Sequence, residues 1–375
     1  GLHSCARRNR SDVPETDCQN RGSAGSAGLG GQRDSRSWMM SGDRLGAVDC
    51  SNPSLAPQIP IGHMRLAAYR IDILLPSPQN TRHMSDSVQI FEVGPRDGLQ
   101  NEKAKIPTEQ KIELVDRLSD AGFTKIEVTS FVSPKWVPQM KDAPKVMAGI
   151  QRVPGVIYSA LTPNRMGYQF ARRSAADEVA IFAAASETFS QRNINCSIAE
   201  SIDRFLPVMA MAAADGVPVR GYVSCVVGCP YEGEVAPSAV AEVTARLLEI
   251  GCYEVSLGDT TGVGTPETVS AMLDATLAIA PADRLAGHYH DTGGRALENI
   301  ETSLEKGLRT FDSAVGGLGG CPYAPGAKGN VATGAVVDML HQRGIETGIS
   351  LEKLPAIEQF AITLRSKPDK GKKPH

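Results

Sequence analysis

His288 and His290 stand two apart in the run Leu285–His290, and on an extended strand both imidazoles fall on one face. Taken alone, such an H-x-H is equally two partly buried histidines bonded to backbone. Its company changes the reading. Asp97, in Gly94-Pro95-Arg96-Asp97-Gly98, offers a carboxylate, and Asn330, after the last strand, an amide oxygen. Two imidazoles, one carboxylate and one amide oxygen suit magnesium, manganese or zinc in an octahedral site with water positions left open. Arg96 suits a different task. The glycines around it allow a ligand to come close, and a guanidinium there can stabilise a developing enolate oxygen. On a surface the same Arg-Asp neighbours would be a structural ion pair. Glu127 is read either as the buried partner of Arg96 or as a general acid/base of raised pKa, and the residues do not separate the two roles.

For these groups to meet, several strand ends must open onto one mouth. Strands are predicted at Val88–Val93, Lys125–Thr129, Val156–Leu161, Glu178–Ala183, Val219–Val223, Tyr253–Leu257, Leu285–His290 and Thr310–Ser313. Amphipathic helices lie between them, among them Thr108–Ala121, stopped by Gly122, and Ala239–Ile250, stopped by Gly251. This alternation predicts an α/β fold, a closed (β/α)₈ TIM barrel whose catalytic groups sit at the C-terminal ends of the strands. A doubly wound open sheet is disfavoured, because no glycine-rich dinucleotide turn follows the first strand. Polar residues do crowd the predicted strand ends, including Tyr222, Cys225, Asp259 and Asp312. The glycine-rich run Gly316–Tyr323 is predicted to hinge as a lid. Cys321 at its tip, facing a cationic site, would be a proton donor of tuned pKa. Cys225 and Cys229 form C-x-x-x-C with no second pair, so they are read as packing residues near the rim, not as zinc ligands.

The chain has 375 residues, 22% charged and 41% hydrophobic, which is ordinary globular composition. A formal charge of −3 gives no footprint for nucleic acid or an anionic membrane, and no apolar run is long enough to span a bilayer. Eight cysteines without a paired framework read as free thiols of a reducing compartment, so the expected location is cytoplasmic, with the mitochondrial matrix as the alternative. Residues 1–83 differ from the rest: ten Arg, no Lys, seven acids, and Gly/Ser-rich stretches without lasting periodicity. They are expected to be a disordered N-terminal extension ahead of a natural start at Met84. A mitochondrial presequence, Arg- and Ser-rich, is the other account, and the acids count against it. The expected divisions are therefore an extension over 1–83, a barrel over 84–355 and a tail over 356–375.

The segments Glu92 to Lys103, Thr129 to Met140, Arg220 to Cys225 and Gly317 to Ala324 closely resemble the 3-hydroxy-3-methylglutaryl-CoA lyases, a family of metal-dependent barrels acting on enolates. The resemblance runs from Val88 to about Leu354. It is most specific in the last two segments; related condensing enzymes share the Arg-Asp and His-x-His elements but not the cysteine loop. It implies Asp97, His288, His290 and Asn330 as ligands of magnesium or manganese, and Arg96, Glu127, Asp259 and Cys321 as catalytic. It further implies an acyl-CoA partner, a retro-Claisen cleavage to acetyl-CoA and acetoacetate, and a place in leucine breakdown or ketone-body formation. A homodimer is the assembly left open. Three features depart from the family pattern. Gly334-Ala335 stand where it has Glu-Asp, Gly293 stands where it has Tyr, and the tail after Arg365 diverges. The two glycines are expected to open room, which keeps two alternatives: a lyase or condensing enzyme for a different 3-hydroxy-acyl-CoA, and an inactive metal-binding barrel subunit.

Overall fold

The computed structural model describes residues 86–102, 104–319 and 328–365. The extension expected over 1–83 and the proposed proton donor Cys321 lie outside these described residues.

Eight parallel strands close into a barrel: β1 (Gln89–Glu92), β2 (Lys125–Ser130), β3 (Ile157–Leu161), β4 (Glu178–Ala184), β5 (Val219–Ser224), β8 (Glu254–Asp259), β9 (Leu285–Tyr289) and β10 (Thr310–Ser313). Between β5 and β8 lies a small antiparallel hairpin, β6 (Gly228–Cys229) and β7 (Gly233–Glu234). Closure is made by β1 against β10, with Phe91 opposite Asp312 and Glu92 opposite Ser313. The helices are α1 (Thr108–Asp120), α2 (Ala143–Gly149), α3 (Arg165–Arg173), α4 (Glu187–Ile194), α5 (Ile198–Asp215), α6 (Pro237–Glu249), α7 (Pro266–Leu277), α8 (Ala296–Glu305), α9 (Thr333–Gln342) and α10 (Leu354–Leu364).

Local chemistry sets most of these bounds. The apolar stripe Leu114, Val115 and Leu118 seats α1 on the sheet, and Gly122, at φ +96°, turns the chain out of it. A Ser197–Glu200 capping box starts α5. Pro237, at the first helical position, starts α6 two residues before the predicted Ala239, because a residue with no N–H fits that place.

Several expected boundaries move by a residue or two, and two of the changes bear on the site and on the expected tail. The ninth strand ends at Tyr289, and His290 instead forms an isolated antiparallel bridge with Asn330. The expected division between 355 and 356 falls inside α10, whose Leu354, Ile357, Ala361 and Leu364 are buried. An apolar period of that strength packs as a helix on the barrel rather than trailing as a tail. Among the described residues no helix is long and apolar enough to cross a membrane.

The barrel interior is polar in its middle. Arg220 is fully buried, 4.1 Å above the Phe91 ring, with its guanidinium bonded to Glu254 (2.7 Å) and doubly to Asp312 (2.7 and 3.1 Å). Below it Lys125 meets Glu178 at 2.9 Å and the Tyr253 hydroxyl at 2.6 Å. Buried charges are tolerated when paired in this way.

Candidate functional site

After β1 the chain makes one π-helical turn, Gly94–Gly98, in which the N–H groups of Arg96, Asp97 and Gly98 all donate to the Val93 carbonyl. A wide turn of this kind at a strand end aims successive side chains into the mouth. Arg96 points its Nε at Glu127 Oε2 (2.6 Å) and its Nη1 at Asp97 Oδ1 (2.5 Å). Its guanidinium carbon lies 5.5 Å from the centre of the Tyr222 ring, and the Tyr222 hydroxyl donates to Glu127 Oε2 at 3.2 Å. Glu127 stands beside a register shift between β2 and β3, which redirects the strand. Both residues are buried.

Asp97, His288 and His290 each bring a ligand atom within 4.8 Å of the other two. Strand order explains the meeting: β9, β10 and β1 are consecutive around the barrel. Desolvation works to raise the Asp97 carboxyl, but Arg96 and the two imidazoles outweigh it and hold it at about 2. Burial, then the neighbouring His288, pushes His290 down to about 4. His290 is therefore a neutral imidazole near neutral pH, and its Nδ1 is a buried nitrogen with no hydrogen-bond partner among the described residues. His288 turns Nδ1 to Asp312 Oδ2 at 3.1 Å, which leaves its Nε2 as the free ligand atom. Asn330 directs its amide NH₂ to Asp97 Oδ2 (2.8 Å) and to the Leu318 carbonyl (3.4 Å), leaving Oδ1 as the atom it can offer. A neutral imidazole with an idle nitrogen, a second oriented imidazole and an ionised carboxylate fit a divalent cation.

Glu127 answers part of the question its sequence left open: it is the buried partner of Arg96. Burial still pushes its carboxyl above the usual range, against the pull of Arg96, and its Oε1 has no partner among the described residues. Asp259 behaves differently. Its oxygens accept from Gly264 N (2.8 Å), Gly262 N (3.0 Å) and Thr261 Oγ1 (3.3 Å), so they hold the loop after β8. It does not join the Asp97–His288–His290 group. Cys225 and Cys229 are buried and pack with Ala184 and Phe189.

Neither glycine opens the room expected of it. A β-carbon on Gly293 would stand 2.6 Å from the Gly262 carbonyl oxygen, to which Gly293 N donates at 3.0 Å. One on Gly334 would stand 2.5 Å from both carboxylate oxygens of Glu358. At Gly293 the close neighbour is a backbone oxygen, and at Gly334 it is the end of the Glu358 side chain, which already fills the space.

Sequence reasoning gave no role to Glu92, Arg220, Tyr222 or Asp312. Glu92 is wholly buried at the end of β1, where its Oε1 accepts Gly94 N (2.8 Å) and Val315 N (2.9 Å) and its Oε2 accepts the Thr333 hydroxyl (2.7 Å). An acid between Phe91 and Val93, near the end of the predicted strand, was the available signal. Arg220 and Tyr222, two apart on β5, carried the same one-face signal as the histidines.

The HMGL-like family matches residues 87–361. The chain is 59% identical over 267 residues to the hydroxymethylglutaryl-CoA lyase, mitochondrial, of Bos taurus, covering 71% of this chain and 82% of that one. It is 56% identical over 272 residues to the 3-hydroxy-3-isohexenylglutaryl-CoA/hydroxy-methylglutaryl-CoA lyase of Pseudomonas aeruginosa, covering 72% and 91%. Among solved structures, the HMG-CoA lyase from Brucella melitensis superposes with a TM-score of 0.74 at 64% identity, covering 75% of this chain and 99% of that one. With most of its length matched, and with the barrel and the clustered Asp-His-His group in place, the chain belongs to the HMGL-like family, alongside the hydroxymethylglutaryl-CoA lyases.

Proposed function

We propose that this protein is a lyase that cleaves 3-hydroxy-3-methylglutaryl-CoA to acetyl-CoA and acetoacetate. The observation that carries the reading is the Arg96 guanidinium, clamped between Glu127 and Asp97 beside the Asp97–His288–His290 group. Divalent magnesium or manganese, held by Asp97, His288 and His290 with Asn330 Oδ1 beside them, would orient the substrate's tertiary hydroxyl and acidify it.

In the cleavage the hydroxyl loses its proton, the C2–C3 bond breaks, and C3 becomes the ketone of acetoacetate. The electron pair of the broken bond passes into the thioester as an acetyl-CoA enolate, which takes a proton at C2. Arg96 would stabilise the enolate oxygen, a charge that develops only as the bond breaks. Glu127, with a raised pKa and an idle Oε1, is the proton acceptor the described residues favour, while its Oε2 keeps Arg96 aimed. Asp259 organises the rim through loop N–H groups. Cys321 is the proposed proton donor to C2, a role that rests on the resemblance of its loop alone.

The dual name of the Pseudomonas aeruginosa relative keeps a larger 3-hydroxy-acyl-CoA as the second reading. Gly293 and Gly334 give it no support, since both lie against neighbouring atoms. The test is a panel of 3-hydroxy-acyl-CoA thioesters with added magnesium or manganese, following acetyl-CoA release. Fastest turnover of the methylglutaryl thioester is expected. Faster turnover of a longer branched thioester would install the second reading, and no turnover of any would sink both.

A further inference from the structure

Helix α9 begins behind Ala332, whose side chain cannot cap it, so the N–H groups of its first turn need an acceptor from elsewhere. One arrives from 24 positions away: Gly334 N donates to Glu358 Oε1 at 2.9 Å. The carboxylate occupies the volume in which a side chain at 334 would begin, and a negative charge there suits the positive end of the helix.

This helix start is joined to the site on two sides. Thr333 donates to Glu92, whose other oxygen holds Gly94 at the head of the turn that carries Arg96 and Asp97. Three residues before the helix, Asn330 bridges His290 and bonds Asp97. The same stretch of α10 also closes on the base of the glycine-rich run. A β-carbon on Gly316 would stand 3.1 Å from the Glu358 carbonyl oxygen, and the Arg365 guanidinium donates to the Gly317 carbonyl.

We propose that Glu358 is a positioning residue of the site: from the C-terminal helix it supplies the carboxylate that fixes the start of α9, and through it Asn330 and the turn bearing Asp97. Gly334 is the space left for that carboxylate. The inference rests on the lyase reading where turnover is the readout, and stands apart from it where binding of manganese alone is measured.

The experiment moves the carboxylate. Glu358→Gly removes it, and the double variant Gly334→Glu/Glu358→Gly returns one to the same volume from α9 itself. Glu358→Gly is expected to lower turnover by about tenfold to a hundredfold, the scale of a small misplacement of reacting groups, with KM little changed and manganese bound more weakly. The double variant is expected to recover most of both. Should Glu358→Gly not fold, Gly334→Ala takes its place, since its methyl displaces the carboxylate without deleting it. Wild-type turnover and manganese affinity in the single variant, or a double variant no better than the single one, would overturn the proposal. A wild-type protein that binds manganese but cleaves no thioester sinks the lyase reading instead, and the binding comparison still decides the role of Glu358.

Discussion

Asp312 links His288 to Arg220: its Oδ2 faces His288 Nδ1 at 3.1 Å and also accepts Arg220 Nη1 (3.1 Å) and Ser256 Oγ (2.7 Å), while its Oδ1 accepts Arg220 Nη2 at 2.7 Å. Burial alone would favour the neutral acid, but Arg220 outweighs it and holds the carboxyl far below its usual range. The histidine is thereby fixed with Nε2 toward the mouth. His290→Ala should abolish metal retention after dialysis, because it deletes a proposed ligand outright. Asp312→Asn should leave the ligands in place yet weaken metal binding by about 10- to 100-fold, the usual cost of losing a partner behind a ligating histidine. It should also cost roughly 3–5 kcal/mol of stability, as Arg220 loses one of its buried partners. Metal titration and thermal melting check both variants. An affinity in Asp312→Asn equal to wild type would show that the contact orients nothing.

Arg96→Gln keeps hydrogen-bonding capacity but deletes the charge proposed to face the enolate. Turnover is expected to fall by about 10²-fold or more, the scale of losing one oxyanion donor, with metal content retained. Steady-state kinetics beside metal analysis test this. A change confined to KM would make Arg96 a binding residue.

Burial raises Glu92 from 4.5 to about 7, against three hydrogen bonds that favour the ionised form. The folded state therefore holds this proton more tightly than the unfolded chain. Its stabilising contribution is complete below pH 4.5 and lost as pH rises through about 7. Glu92→Gln cannot titrate, so wild type should lose roughly 3 kcal/mol relative to it across that window. Denaturant melts of both proteins in chelator, from pH 4 to 8, measure the difference. Parallel curves would contradict the assignment.

The described cysteines, Cys196, Cys225, Cys229 and Cys252, are all buried, and burial pushes the Cys252 thiol up to about 12. Alkylation should therefore find Cys321 well before these four, with activity falling in step and a substrate analogue protecting. Peptide mapping beside residual activity is the measurement. Full activity after stoichiometric labelling of Cys321 would remove it from the mechanism.

The barrel was readable because each strand is a short β-rich run closed by a turn or glycine; Thr310–Ser313 was placed to the residue. The Asp97, His288 and His290 cluster was readable too, since period two puts both imidazoles on one face and closure puts β1 near β9. What spacing could not carry was partnership across the barrel. Nothing near Asp312 names Arg220 or His288 as its neighbours, and nothing near Gly334 names Glu358. The glycines were misread for the same reason: a missing side chain looks alike in sequence whether the space is empty or already filled from another element. Asp259 stood at a strand end among polar residues, but the loop that follows it folds back and takes its oxygens.

The closure of the barrel by its first and last strands also sets an order of events during synthesis. Asp97 and Asn330, 233 positions apart, touch only when β10 has docked beside β1. A chain still emerging from the ribosome, with seven strands made, has Asp97 and His290 without the neighbour that joins their strands. Contacts of such long sequence separation are late and slow to form, and an unclosed sheet leaves two strand edges unpaired meanwhile. The incomplete protein is thus exposed to aggregation at the seam where the Asp97–His290 group will form, until β10 and the segment bearing Asn330 arrive.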